Sequence, residues 1–209
     1  IVSSSLCGFQ HTTASVSHNH DLTWIDANSD RGLQVYAVKT PSSRAEITYP
    51  KTKIKDVKFV VKNRNGDTVL TSSVFQNVYD NSKWNLALSV FPEQYPYALE
   101  LTGTNISNYT LSLYGANYDS DLKRNSFYAT ASLSQLSGGA VLTGSKRFYL
   151  GAHRTNFSGA LLIGSDIKAS SFRVWNSLLP TGTVDLHALE GDTYGTVHPY
   201  RQAYTFQGH

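Results

Sequence analysis

A period of two, repeated along the chain, is the feature that most limits how this sequence can fold. Short runs alternate apolar and polar residues, and no segment of about fifteen residues shows capped helical periodicity. The period predicts strands at Leu6–Phe9, Leu33–Lys39, Ala45–Tyr49, Val57–Lys62, Thr68–Phe75, Trp84–Val90, Tyr97–Thr102, Tyr109–Tyr114, Ser126–Leu133, Arg147–Gly151 and Ile167–Trp175. β-Branched and aromatic side chains dominate these runs, as they do on pleated, half-buried surfaces. In "VVKNRNGDTVL", Asn65-Gly66 suits a type I′ hairpin whose flanking strands carry Val61 and Val69. Pro41, Pro50, Pro92 and Pro96 fall between strands, where a missing N–H costs nothing. After Pro180, the stretch Thr181 to Glu190 suits a short helical turn.

About eleven short strands with regular turns predict an all-β fold, a two-sheet antiparallel jelly-roll sandwich with at most a short helical turn near 181–189. One domain is expected, since all-β sandwiches reach the length of 209 residues as single units. An irregular N-terminal segment, 1–32, contributes an edge strand. The sandwich occupies 33–195. A basic, aromatic tail, 196–209, packs on a partner or leads into another domain. Apolar residues at 40%, with 13 Tyr, 9 Phe and 3 Trp, can fill a sizeable core. Charged residues are only 16%, below the usual quarter, so Ser, Thr, Asn and Gln must cover the surface. The chain has no Met, and Ile1 is too bulky to follow ordinary removal of an initiator Met. A piece of a longer polypeptide is therefore expected.

The net charge of +3 is mild. The densest basic run, Lys51 to Lys62, alternates Lys51, Lys53 and Lys55 with Thr52 and Ile54, which reads as a strand edge guarded against pairing. No nucleic-acid-binding signature accompanies it, so nucleic acid is not an expected partner. No apolar run is long enough to span a bilayer as a helix, and membrane insertion is not expected. The lone Cys7 excludes an intrachain disulfide and reads as a small buried hydrophobe.

Toward the C-terminus, Tyr149-Leu150-Gly151 ends a strand and Asn156-Phe157-Ser158-Gly159 makes a turn. Phe172-Arg173-Val174-Trp175 and Leu178-Leu179 follow. This order resembles the laminin G-like branch of the concanavalin A-like sandwiches, where a Y-x-G, F-x-G, R-x-aromatic, L run closes the sandwich. The resemblance covers Leu33 to Leu189. With the low charge, it looks like the domains of this fold in large virion proteins of tailed bacteriophages. In a strand, Phe172 and Val174 would share one face while Arg173 and Trp175 share the other. Phe157 would plug the core edge, and Gly151 and Gly159 would permit tight turns.

Glycosidases on this sandwich carry alternating carboxylates on one strand, because two carboxyls must flank the scissile bond. The 15 acids here are scattered, so an enzyme is not the expected function. "SHNHD" raises a zinc site from His18 and His20 with His11, but no Cys or Glu completes a set, and a polar loop is the plainer reading. His153 and His187 read as structural. No cofactor is expected. Calcium is the possible exception: Asn117, Asp119 and Asp121, or Asp26, Asn28 and Asp30, place oxygen ligands at alternate positions. Asx-rich turns are the ordinary reading of both. Three glycosylation acceptor patterns, at Asn105, Asn108 and Asn156, matter only in a eukaryotic secretory route.

These observations lead to two expected functions. The first is a non-catalytic structural or adhesive module of a larger assembly, on a virion surface, with other subunits of a particle or oligomer as partners. The second is a carbohydrate-binding module on a surface or secreted protein. It would use Tyr95, Tyr97, Tyr114, Tyr118, Arg173 and Trp175 against cell-surface glycan.

Overall fold

The structure is a computed structural model, and it describes residues 3–11, 32–40, 55–63, 67–79, 82–93, 108–142, 146–154, 161–165 and 167–189. Two antiparallel sheets face each other across one apolar core. In the first, β1 (Ser3–His11), β2 (Gly32–Lys39), β3 (Val57–Asn63) and β4 (Thr68–Phe75) form a meander. The second holds β5 (Trp84–Pro92), β6 (Tyr109–Asp119) and β7 (Leu122–Leu133), in that order. Strand β8 (Lys146–Leu150) then returns to the first sheet beside β1, giving the order β4-β3-β2-β1-β8. A separate ribbon pairs β9 (Ala152–Arg154) with β10 (Leu161–Gly164).

The core follows from the alternation. Val35, Ala37, Val57, Phe59, Val61 and Leu70 of the first sheet meet Leu111 and Leu113 of β6 in one cluster. At the β4–β7 side four aromatic rings interlock. Phe59 stacks on Phe127 at 5.4 Å and lies 4.9 Å from Trp84, while Phe75 is 5.1 Å from Trp84 and 5.3 Å from Phe127. Such offset and tilted rings add to the gain from burial itself. Cys7 packs against this core as expected, and burial pushes its thiol up to about 11.

The β3–β4 hairpin forms with Val61 opposite Leu70. Asn65-Gly66 lies outside the described residues, but the hairpin's neck is closed by Asn63, which accepts from the Asp67 N–H at 2.9 Å and donates to its carboxylate at 3.1 Å. Gly151 takes φ +66° between β8 and β9, donates to Leu6 and accepts from Ser165. Only glycine holds that conformation without strain. The expected strands Ala45–Tyr49 and Tyr97–Thr102, the turn residues Phe157 and Gly159, and the tail 196–209 lie outside the described residues.

Four expectations need correction. The N-terminal segment gives no edge strand, because β1 lies between β2 and β8. Ile167–Trp175 is not a strand: residues 167–180 carry no regular pairing. Ser171 takes φ 56°, which breaks an extended run just before the alternation starts. The alternation survives as exposure, with Phe172 and Val174 outward and Arg173 and Trp175 half-buried. The turn after Pro180 is a full helix, α2 (Thr181–Leu189). A second helix, α1 (Gln135–Leu142), was not expected, because Gly138-Gly139 reads as a turn. Ser134 caps it by accepting from the Ser137 N–H. Gly138 admits the helix against Tyr109, whose ring lies 2.3 Å from where a Cβ would sit.

Candidate functional site

β6 is buried on both faces. Its residues alternate sides, so Leu111 and Leu113 enter the main core while Tyr114 and Ala116 point out of the sandwich. Helix α2 covers that outer side. Val184 is buried on Tyr114 and Ala116, with Ala87, Tyr118 and Leu179 packed around them. This apolar contact is small, and polar groups complete it. Asn85 donates to the Val184 carbonyl in the middle of the helix at 2.8 Å, and Lys83 to the Ala188 carbonyl in its last turn at 3.0 Å.

At the centre, the Tyr114 hydroxyl donates to Asp185 at 2.7 Å, and the Lys123 ammonium donates to both Asp185 and the Tyr114 oxygen. That ammonium also lies 5.9 Å from the centre of the Tyr114 ring and 5.8 Å from that of Tyr118. Burial raises the Tyr114 phenol above its ordinary value, with the Asp185 hydrogen bond adding to it. Tyr118 is raised by burial and then by the Asp185 charge. Lys123 is held charged well above the usual amine range by its hydrogen bonds to Asp185 and Tyr114. The four groups satisfy one another. What they do chemically is hold α2 down.

Of the six residues expected to bind a ligand, Tyr95 and Tyr97 lie outside the described residues. Tyr114 and Tyr118 come together at Lys123, but Tyr114 is buried. Trp175 stacks on His187 of α2 at 5.5 Å, nearly parallel, so one ring face is covered. Arg173 is half-buried and engaged in an interaction of its own. A tyrosine that does stand in solvent is Tyr128 on β7, 56% exposed and 6.5 Å from Tyr114. Sequence reasoning missed it because a Tyr in an alternating strand reads as an ordinary outward residue. Asp185 was missed too; its signal is that it is the single acid of α2.

The calcium candidates fare differently. Asn117 is buried and its amide donates to the Lys83 carbonyl at 2.8 Å, while Asp119 pairs with Arg124 at 2.9 Å. Asp121 is in the two-residue turn from β6 to β7, where Ser120 takes φ 54°. That arrangement makes the segment a hairpin turn in which Asn117 and Asp119 already have protein partners. Asp26, Asn28 and Asp30, like His18 and His20, lie outside the described residues. Among the described residues no three His, Cys, Asp or Glu side chains gather as a metal site. No helix there is long and apolar enough to cross a membrane, which says nothing of crossing by strands. Comparison with family models, with curated proteins and with solved structures gives no match for the chain.

Proposed function

We propose that the chain is a rigid structural or adhesive module of a larger assembly, such as a capsid decoration, tail or fibre protein of a tailed bacteriophage. The observation that carries this reading is large apolar surface left in water. Phe148 and Phe172 touch at 5.6 Å, yet each remains nearly half exposed, and Val174, Leu178 and Leu186 stand out further along the same segment and on α2. Single exposed apolar residues are ordinary, but grouped ones mark surfaces that meet a partner. The concanavalin A-like, jelly-roll classification belongs to the same proposal. It is supported by two packed antiparallel sheets and by β8 returning beside β1. The glycan-binding alternative draws its support from Tyr128, whose neighbours Ser126 and Thr130 are also exposed.

The test is made on the native source. Particles are separated on a gradient and peptides of this chain are sought by mass spectrometry. Co-migration with virus-sized particles at fixed stoichiometry is the expected result. Peptides confined to the soluble fraction would overturn it and put a glycan array next.

A further inference from the structure

Helix α2 is short and lightly held. An isolated helix of fewer than about 12 residues is marginal in water, so nine residues stay helical only while something seats them. Gly182 in its first turn lowers the helical preference further. Within the helix only Val184 and Ala188 are buried. The stretch that leads into it, 167–180, carries no regular pairing and leaves Phe172, Val174 and Leu178 exposed. Upstream, the Ser165 N–H donates to the Gly151 carbonyl at 3.0 Å and ties the chain to the corner between β8 and β9. Past that tie, Phe172 rests on Phe148, Trp175 stacks on His187 of α2, and Leu179 joins the apolar contact under the helix. The lead is therefore bound to α2 itself by Trp175.

The hydrogen bonds that seat α2 run one way. Lys83, Asn85, Tyr114 and Lys123 donate, and the helix accepts at two carbonyls and one carboxylate. The Lys123 side chain is 36% exposed and that of Asp185 19%, so water and salt reach the pair. Under the helix lie Tyr114 and Ala116, with Ala87 and Tyr118 beside them, and Tyr128 adjoins that face. Lifting α2 would break a small apolar contact and hydrogen bonds that water can replace. Every strand pairing and the main core would stay as they are.

We propose that α2, with the stretch 167–180, is a hinged cover on the second sheet, and that the Lys123–Asp185 ion pair is its latch. The cover lifts as a unit while both sheets stay paired. Lifting bares Tyr114, Ala116 and Tyr118 beside Tyr128, so the chain has a closed surface and an open, more aromatic one. Segments with few buried apolar contacts and solvent-exposed hydrogen bonds are those that open below global unfolding. This inference goes beyond the assembly reading and does not depend on it, since a cover can lift on a free chain or on a particle.

The experiment is thiol labelling on a Cys7→Ala background, read by mass spectrometry. Val184→Cys puts a thiol on the underside of α2, and Val35→Cys puts one in the main core. Labelling at position 184 is expected to run about a hundredfold or more ahead of labelling at position 35. Hydrogen exchange on the unsubstituted chain checks that the reporter did not create the opening: the amides of α2 should exchange ahead of those of β6 beneath it. Equal labelling rates, or α2 amides as slow as those of β6, would overturn the cover. Adding Asp185→Lys sets two ammonium groups together and should speed labelling at position 184 by about tenfold, with position 35 unchanged. Adding Lys123→Asp as well restores an opposite pair and should reverse most of that gain. Raising the ionic strength should speed labelling by about twofold with Asp185 present and leave Asp185→Asn unaffected. An Asp185→Lys chain that labels no faster, one whose core position speeds up in parallel, a charge swap that restores nothing, or a salt response that survives Asp185→Asn would overturn the latch.

Discussion

The two faces of β6 are buried by opposite means. Inward, Leu111 and Leu113 enter a core where shape decides and four aromatic rings close one side. Outward, Tyr114 and Ala116 accept a nine-residue helix through a small apolar contact and a set of hydrogen bonds among Lys83, Asn85, Tyr114, Lys123 and Asp185. The difference teaches how stability is spread. Burial of large apolar groups is non-directional and strong, so the inner face sets the stability of the whole sandwich. Hydrogen bonds exchanged with water yield about 1 kcal/mol each, so the outer face positions α2 more than it stabilises the fold.

Phe59→Ala is the most severe test of that contrast. It empties the centre of the aromatic cluster and should cost about 3–5 kcal/mol in global unfolding, measured by denaturant titration. Tyr114→Phe removes one hydroxyl from the outer face and should cost about 0.5–1.5 kcal/mol. Its clearer signature is local: amides of 181–189 should exchange faster while those of β2 and β3 keep their protection. If Tyr114→Phe lowered the global midpoint as far as Phe59→Ala, the two faces would not differ in the way described.

The smallest effect expected is on alkaline stability. Burial raises the Cys7 thiol from 9.0 to about 11 and the Tyr36 phenol from 10.0 to about 12. In both cases the fold favours the neutral form. That contribution is intact below pH 9, where the unfolded thiol begins to ionise, and is lost as pH climbs through the folded values. The denaturant midpoint should therefore fall from about pH 9 upward, and Cys7→Ala should remove the earliest part of the fall. A Cys7→Ala profile identical to wild type would show that burial of the thiol is not the cause.

Much of the strand pattern was legible in advance because alternation is local. Leu33–Lys39, Val57–Lys62, Thr68–Phe75 and Trp84–Val90 reappear nearly residue for residue in β2 to β5. Local pattern misled at Ile167–Trp175, where Trp175 rests on His187 of α2 and no strand pairs with the segment among the described residues. It also hid α1, since Gly138-Gly139 signals a turn unless the close approach of Tyr109 is known. The outer cluster could not be read at all. Tyr114 and Asp185 are 71 positions apart, and Lys123 and Asp185 are 62 apart.

By itself, then, the sequence determined the period, the breaks between strands and the class of fold, since each depends on residues a few positions apart. Only the tertiary structure decided that β8 returns to β1 and that α2 lies over the outer face of β6. Those outcomes depend on which distant surfaces bury each other best, and no stretch of sequence carries that information alone.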